Sequence, residues 1–167
     1  MNACIVGASG YSGRELVGLL AGHPQVELAA VTSRSLAGTV VEQALPKLRG
    51  KLPELTFTAP DPEELAGREG LDVFFLALPH GAAAEYAVPL VKAGRRVIDL
   101  SADFRLSDPG RYEEFYGAPH PAPDLLERAA YGLPELHALS WDAGPLVASP
   151  GCYPTSILPP LAPLLEA

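Results

Sequence analysis

Short apolar runs alternate along the chain with stretches in which apolar residues recur at helical spacing. The first apolar run, residues 2–6, leads directly into the glycine-rich segment GASGYSG, residues 7–13. Four aliphatic side chains then form the apolar face of a predicted helix: Leu16, Val17, Leu19 and Leu20. The next apolar run, VELAAVTSR, covers residues 26–34. Strand, glycine-rich turn, helix and strand within about thirty residues are typical of a βαβ unit and predict a parallel sheet.

The same alternation continues further along the chain. More strands are predicted at residues 55–58, 71–78, 95–101 and 145–149, and more helices at residues 61–66 and 82–93. The run LDVFFLAL, residues 71–78, is almost continuously apolar, which is typical of a central strand covered by helices on both faces. The order of elements predicts a doubly wound α/β domain with a parallel sheet. Residues 101–144 lack clear periodicity and contain many prolines, so they predict long loops and short helices at one edge of the sheet.

Composition and charge narrow the classes of function. The chain of 167 residues, 48% hydrophobic and 19% charged, is long enough for one domain with a substantial core. Its net charge of -8 argues against a nucleic-acid or anionic-membrane surface. No apolar run approaches the roughly 18 residues of a membrane span, and the N-terminus lacks the pattern of a secretory signal. The two cysteines make no disulfide framework, so we expect a cytoplasmic protein, and no metal site is predicted.

The glycine-rich segment has the composition of a phosphate-binding loop. Gly7, Gly10 and Gly13 stand between the first strand and the first helix, where backbone N–H groups and the helix dipole favour a pyrophosphate. Ser9 and Ser12 add hydroxyl donors. The spacing GxxGxxG is one residue longer than the dinucleotide fingerprint GxGxxG, so an ordinary tight turn remains an alternative. The position between a strand and a helix favours nucleotide binding.

The end of the second strand indicates which nucleotide is bound. A protein that binds NAD usually carries an acidic residue there, which accepts hydrogen bonds from the ribose 2′-hydroxyl. Here the strand ends in Thr32, Ser33 and Arg34, without a carboxylate. A hydroxyl and a guanidinium suit the 2′-phosphate of NADP, so NADP is favoured over NAD. The alternative is that Arg34 is an ordinary surface residue at a strand end.

Two further motifs fall at the ligand-binding edge of the predicted sheet. LPHG, residues 78–81, follows the apolar central strand, where His80 either lines the crevice or caps the next helix. Cys152 lies in SPGCYPT, directly after the last predicted strand, with Pro154 suited to the first turn of a helix. A thiol at a helix N-terminus has its thiolate stabilised by the dipole, which predicts a nucleophile. The alternative is a small core cysteine, the role that the apolar sequence ACIVG predicts for Cys4.

The helix that begins near this cysteine contains three prolines: Pro159, Pro160 and Pro163. Proline in a helix interior removes a hydrogen bond and clashes with the preceding turn. These residues therefore argue against a long, straight helix.

A nucleophilic cysteine beside an NADP site predicts acyl transfer to sulfur coupled to hydride transfer. An acyl phosphate acylates the thiolate and releases phosphate, and hydride from NADPH then reduces the thioester to an aldehyde. Carboxylates are poor hydride acceptors, which is the chemical reason for activating the acid first. The residues thus predict an NADP-dependent oxidoreductase.

Motifs along the whole chain resemble those of the N-acetyl-gamma-glutamyl-phosphate reductases of arginine biosynthesis. They are GASGYSG, TSRS, LALPHG, VIDLSADFRL, YGLPEL and SPGCYPT, of which the last four are specific to this family and its near relatives. The resemblance implies NADPH-dependent reduction of N-acetyl-gamma-glutamyl phosphate to N-acetylglutamate semialdehyde with release of phosphate. It also implies a Rossmann-type domain, a cytoplasmic enzyme of amino-acid biosynthesis, and a homo-oligomer in the full-length form.

The resemblance further implies roles for individual residues. Cys152 matches the nucleophile that forms the thioester, and Arg105 in SADFR is a candidate for holding the phosphate or carboxylate of the substrate. The alternative for Arg105 is a buried structural arginine paired with Asp99 or Asp103. The residues that match the cofactor site are Gly7, Ser9, Gly10, Tyr11, Ser12, Gly13, Ser33, Arg34, Pro79 and His80.

Members of this family are much longer, with a second domain after the cysteine that supplies substrate contacts, subunit contacts and a general acid–base histidine. We therefore expect residues 1–148 to form the NADP-binding domain and residues 149–167 the nucleophile loop and first helix of a truncated catalytic domain. Such a chain is expected to be largely inactive alone and to expose apolar side chains, including Leu158, Leu161 and Leu164. The alternative functions are the aminoadipyl-phosphate reductase of lysine biosynthesis and a non-catalytic NADP-binding module. Aspartate-semialdehyde dehydrogenase is disfavoured by YGLPEL and SADFRL.

Overall fold

The computed structural model describes residues 1–52, 54–136 and 144–165. The strands are β1 (Asn2–Val6), β2 (Glu27–Thr32), β3 (Phe57–Thr58), β4 (Val73–Leu76), β5 (Arg96–Asp99), β6 (Ala130–Tyr131) and β7 (Leu146–Ala148). The helices are α1 (Tyr11–Leu20), α2 (Val41–Ala44), α3 (Pro62–Gly67), α4 (Ala83–Lys92), α5 (Pro109–Tyr116), α6 (Pro123–Arg128) and α7 (Cys152–Leu165), with a 3-10 turn at Pro46–Leu48.

The strands form one seven-stranded sheet in the order β3-β2-β1-β4-β5-β7-β6. All of its strand pairs are parallel. The predicted doubly wound α/β architecture is therefore confirmed, and β4 lies at its centre as the apolar run over residues 71–78 predicted. The short strand β6 was not predicted, because two residues carry no readable periodicity. It pairs with β7, so the last strand in sequence is not the edge of the sheet.

Two apolar cores cover the two faces of this sheet. One contains Phe74, Leu76 and Val97 and packs against α3, α4 and the region that follows β5. The other contains Ile5, Val31 and Phe57 and packs against α1. This arrangement explains why the strands read as continuous apolar runs, since both faces of each central strand are covered.

The buried stripe of α1 differs from the prediction at one position. Gly13, Val17 and Leu20 are buried, whereas Leu19, predicted on the same face, is 72% exposed. Successive helical residues are rotated by about 100°, so Leu19 points away from a stripe centred on the other three.

The segment between β5 and β7 consists of loops with two short helices, α5 and α6, as the weak periodicity of residues 101–144 predicted. Part of that prediction, residues 137–143, lies outside the described residues, as do residues 166–167. The expectation that the prolines shorten the last helix was wrong. Helix α7 continues for 14 residues through Pro159, Pro160 and Pro163. The φ angle of proline is compatible with a helix, and α7 continues although each proline removes one backbone hydrogen bond and crowds the preceding turn.

Candidate active site

The carboxyl ends of the parallel strands β1, β4, β5 and β7 meet at one edge of the sheet. Chain order reverses between β1 and β4, because β2 and β3 lie on one side of β1 and β5 lies beyond β4 on the other. In open α/β sheets the crevice outside such a reversal point is where ligands bind. The loops that follow these strands therefore surround one candidate site.

The glycine-rich loop after β1 is packed against the end of β4 at positions where no side chain fits. Gly7 has a φ of 85°, and a Cβ there would overlap the carbonyl oxygen of Ala77. A Cβ on Gly13 would overlap the carbonyl oxygen of Gly7. Gly10 differs, since a Cβ there would lie 3.4 Å from the Gly7 carbonyl oxygen, an ordinary contact. Gly7 and Gly13 thus shape the loop. Gly10 leaves the outer surface of the loop open for close approach by a ligand.

The start of α1 completes this cradle. Gly10, Tyr11 and Ser12 are all exposed. The Gly10 carbonyl accepts the first intrahelical hydrogen bond, from the Arg14 N–H at 2.9 Å, so the preceding N–H groups lack intrahelical acceptors. Exposed N–H groups at the positive end of a helix dipole are suited to a phosphate.

A chain of hydroxyl groups links this loop to the end of β2. The buried Ser33 donates its Oγ–H to Ser9 Oγ at 2.7 Å. Ser33 Oγ also lies 3.2 Å from Ser35 Oγ. Thr32 Oγ1 accepts the Gly7 N–H at 3.3 Å. The structure therefore brings together the predicted residues Ser9 and Ser33 and adds Ser35, which the motif TSRS contains but which sequence reasoning did not single out.

Arg34 lies between Ser33 and Ser35 in sequence, just after the end of β2. Its side chain is 78% exposed, and Nη2 lies 3.7 Å from Oε2 of Glu85, itself 55% exposed. Glu85 lies in the first turn of α4, where a negative charge is favoured by the helix dipole. Sequence reasoning missed Glu85, because nothing in the sequence places α4 beside the end of β2.

A cavity of about 510 Å³ lies beside the glycine-rich loop, between α1 and the 3-10 turn. Ser9, Tyr11, Arg14 and Lys47 are among the residues that line it. It adjoins the loop, but neither His80 nor the predicted nucleophile lines it, so it is separate from the chemistry expected at the ends of β4 and β7.

The loop after β4 is organised by a buried carboxylate. Asp103 accepts the backbone N–H of Gly81 at 2.7 Å and that of Ala83 at 2.9 Å. Nδ1 of His80 lies 2.7 Å from the same carboxylate. Asp103, and not His80, therefore accepts the backbone N–H groups at the start of α4. The exposed imidazole and its neighbour Pro79 remain at the crevice.

Aromatic side chains pack against the His80 ring. The ring centroid of Tyr116 lies 4.3 Å from that of His80, and Tyr112 lies 4.7 Å from Tyr116. The buried His120 meets Tyr112 edge-on at 4.6 Å. Burial lowers the pKa of His120, and its Nδ1 accepts the Ala122 N–H, as a neutral core imidazole does. The contact between His80 and Tyr116 joins residues far apart in sequence, which no local pattern indicates.

Asp99, at the end of β5, is fully buried. Burial raises its pKa from the ordinary value of 3.8 to about 6, and the hydrogen bonds from Ser101 oppose that shift only in part. The backbone N–H and the hydroxyl of Ser101 donate to its two oxygens at 2.9 and 2.8 Å. This geometry is that of a carboxylate that shapes a turn.

Arg105 ties the loop after β5 to the loop after β7. Its Nε donates to the Ser149 carbonyl at 2.9 Å, and Nη2 donates to the Leu100 carbonyl at 3.0 Å. A Cβ on Gly151 would lie only 2.9 Å from Arg105 Nη1, so glycine at this position lets the guanidinium lie close to the loop without shifting. The alternative for Arg105 was pairing with Asp99 or Asp103, but its guanidinium donates to these two backbone carbonyls instead.

The two cysteines occupy opposite environments. Cys152 is exposed and is the first residue of α7, directly after the loop that Arg105 contacts. Cys4 is fully buried in β1, and burial raises the pKa of its thiol to about 12. The prediction of a core role for Cys4 is confirmed.

Helix α7 presents an apolar surface with no buried residue among those described. Its exposed aliphatic side chains are Ile157, Leu158, Leu161, Leu164 and Leu165. The expected exposure of apolar side chains in this helix is therefore confirmed.

Comparison with known proteins identifies the fold and a family. The model of the family described as semialdehyde dehydrogenase, NAD binding domain, matches residues 2–142. Among solved structures, an NADP complex of aspartate semialdehyde dehydrogenase from Candida albicans has a TM-score of 0.72 at 20% identity, covering 99% of this chain and 46% of that one. An aspartate semialdehyde dehydrogenase II from Vibrio cholerae has a TM-score of 0.70 at 17% identity, with the same coverage. At such identities these structures show the fold alone.

Curated relatives are much more similar in sequence. The N-acetyl-gamma-glutamyl-phosphate reductase of Ectopseudomonas mendocina is 53% identical over 98% of this chain and 46% of its own length. The protein of that name from Nitrosococcus oceani is 50% identical over 99% of this chain and 48% of its own length. The resemblance read from the motifs is thereby confirmed. The chain spans about half the length of the curated relatives it matches.

The described residues contain neither a candidate membrane span nor a candidate metal-binding cluster. None of their helices is both long enough and apolar enough to cross a membrane. Within the same residues, no group of three or more histidine, cysteine or acidic side chains is placed to hold a metal ion.

Proposed function

The chain belongs to the semialdehyde dehydrogenase NAD-binding-domain family, and from that membership we propose that it is the cofactor-binding and nucleophile-bearing half of an NADP-dependent acyl-phosphate reductase. The proposed substrate is N-acetyl-gamma-glutamyl phosphate, reduced to N-acetylglutamate semialdehyde with release of phosphate in arginine biosynthesis. The observation that carries the proposal is the identity of 53% and 50% to relatives of that name. We expect the complete enzyme to be a cytoplasmic homo-oligomer and the chain alone to be largely inactive.

In this proposal the chain divides at the end of the sheet. Residues 1–148 form the NADP-binding domain, and residues 149–167 carry the nucleophile loop and the first helix of a catalytic domain. The end of β7 at Ala148 and the absence of buried residues in the described part of α7 support this division. An apolar helix without a buried face is suited to packing against another domain.

The residues at the crevice fit a dinucleotide with a 2′-phosphate. The open backbone at Gly10 suits the pyrophosphate, and Ser9, Ser33 and Arg34 offer hydroxyls and a cation for the 2′-phosphate. The residues proposed to form the site are Gly7, Ser9, Gly10, Tyr11, Ser12, Gly13, Ser33, Arg34, Pro79 and His80. When bound, NADPH supplies the hydride that converts a thioester into an aldehyde.

Cys152 is the proposed nucleophile. Its Sγ, as the thiolate, attacks the acyl carbon of the substrate. The C–S bond forms while the C–O bond to phosphate breaks, and phosphate leaves with the electron pair. Its exposure and its position as the first residue of α7, at the positive end of the helix dipole, suit this role.

Arg105 is proposed to act beside this nucleophile. Its bonds to the Ser149 and Leu100 carbonyls hold the guanidinium within reach of the loop that carries the nucleophile. A cation at that place is suited to the phosphate or carboxylate of the substrate.

The experiment joins this chain to the remaining half of the Ectopseudomonas mendocina relative and follows NADPH oxidation with N-acetyl-gamma-glutamyl phosphate. We expect turnover that Cys152→Ser abolishes. Cys4→Ala is the matched control, because that thiol is buried away from the crevice, and it should retain turnover.

Other acyl phosphates distinguish the alternatives. Preferred turnover of aminoadipyl phosphate would replace the proposal with the reductase of lysine biosynthesis, and preferred turnover of aspartyl phosphate with an aspartate-semialdehyde dehydrogenase. A folded hybrid that binds NADPH but reduces none of these, when the parent relative does, would favour a non-catalytic nucleotide-binding module.

A further inference from the structure

The ion pair between Arg34 and Glu85 crosses the ligand crevice. Arg34 follows β2, and Glu85 lies in the first turn of α4, which follows β4. In the sheet β1 separates β2 from β4, which places those two strands roughly 10 Å apart. The side chains nevertheless meet at 3.7 Å, so the ion pair spans the distance between the segments that follow these two strands.

This bridge can open at little cost. Both side chains are largely exposed, at 78% and 55%, and an exposed ion pair is weak and screened by salt. Arg34 also lies next to the hydroxyl chain of Ser9, Ser33 and Ser35, where a ribose 2′-substituent is expected. The guanidinium therefore has two possible anionic partners, the Glu85 carboxylate and a 2′-phosphate.

We propose that Glu85 is a specificity-determining residue that competes with the 2′-phosphate of the cofactor for Arg34. The proposal rests on the proposed cofactor site. Binding of NADP(H) must release Arg34 from Glu85, whereas NAD(H), without a 2′-phosphate, leaves the ion pair intact. Glu85 thus weakens NADP(H) binding selectively and gives Arg34 a partner to return to when the cofactor leaves.

The test measures dissociation constants for NADPH and NADH at low ionic strength with the wild-type chain and the variants Glu85→Gln and Glu69→Gln. Glu69 is the matched control, because it is exposed in the turn before β4, at the opposite edge of the sheet. Glu85→Gln should tighten NADPH binding about fivefold and leave NADH binding unchanged, the size expected for one exposed ion pair. Glu69→Gln, which removes the same charge, should change the NADPH affinity much less.

The same substitutions in an Arg34→Gln background test whether Glu85 acts through Arg34. In Arg34→Gln the additional change Glu85→Gln should no longer tighten NADPH binding by more than Glu69→Gln does, because the competition requires the guanidinium. Weaker NADPH binding by Glu85→Gln would overturn the proposal, since it would mean that Glu85 positions Arg34 for the phosphate. An equal effect on NADPH and NADH would also overturn it. Failure of the wild-type chain to bind NADPH would instead contradict the proposed cofactor site itself.

Discussion

At the residue scale, the glycine-rich loop shows how three similar positions serve different ends. Gly7 and Gly13 are required by the packing of the loop itself, because a Cβ at either would overlap a carbonyl oxygen. Gly10 has room for a Cβ in this structure. We therefore expect glycine at this position to matter for a ligand that approaches the loop from outside.

Substitution by alanine separates these two roles. Gly13→Ala should lower the free energy of unfolding by about 1–3 kcal/mol and abolish NADPH binding, because the Cβ would overlap the Gly7 carbonyl oxygen and the Ala8 backbone and force the start of α1 away from the loop. Gly10→Ala should keep the unfolding free energy near that of wild type while weakening NADPH binding at least tenfold. Chemical denaturation and NADPH titration of both variants make the comparison. Unchanged NADPH affinity in Gly10→Ala would show that no ligand approaches there.

The buried Asp99 makes a second prediction, for the pH dependence of stability. Its folded pKa of about 6 lies above the ordinary value of 3.8, so between these values the folded chain holds a proton that the unfolded chain has lost. The free energy of unfolding should therefore fall by up to about 3 kcal/mol as the pH rises from about 4 to about 6. Asp99→Asn should flatten that part of the profile, measured by urea denaturation at each pH. Parallel profiles for the two proteins would contradict this assignment.

At the scale of elements, local signals identified most strands and helices. The run VELAAVTSR predicted a strand over residues 26–34, and β2 covers Glu27–Thr32. Helix α7 continues through three prolines, although proline in a helix interior predicts an interruption. Contacts between loops were not predictable, since Asp103 contacts the loop after β4 and Arg105 the loop after β7 across more than twenty residues of sequence.

The apolar surface of α7 predicts self-association of the chain. Leu161→Glu combined with Leu164→Glu should shift the chain towards monomer in sedimentation equilibrium, because both leucines are exposed on a helix with no buried residue among those described. Leu19→Glu is the matched control, an exposed leucine on α1 outside this surface. A wild-type chain that is already monomeric at high concentration would show that this helix does not mediate self-association.

At the scale of the whole molecule, the sheet creates the site. Residues from five loops meet at one edge only because the strands are parallel and their order reverses between β1 and β4. A ligand that spans these loops contacts strands on both sides of the point where the strand order reverses.

Cofactor binding should therefore stabilise the whole chain. At a concentration of NADPH one hundred times its dissociation constant, the folded state gains about 2.7 kcal/mol, which corresponds to a Tm increase of roughly 5–10 °C for a domain of this size. NADH at the same concentration should give a smaller increase. Differential scanning calorimetry measures both, with Cys152→Ser expected to respond as wild type does. Equal shifts with the two cofactors would contradict the proposed grip on the 2′-phosphate.

The sequence by itself determined the alternation of strands and helices, the glycine-rich turn, and the placement of Ser33, His80 and Cys152 after strands. Those features depend on local periodicity and on the shared direction of parallel strands, which a sequence expresses directly. Only the tertiary structure decided that Asp103 holds His80, that Arg105 bonds to backbone carbonyls, and that Glu85 meets Arg34. Such contacts depend on how loops distant in sequence pack at one edge of the sheet. No local pattern encodes that packing, because the side chains involved have no apolar periodicity.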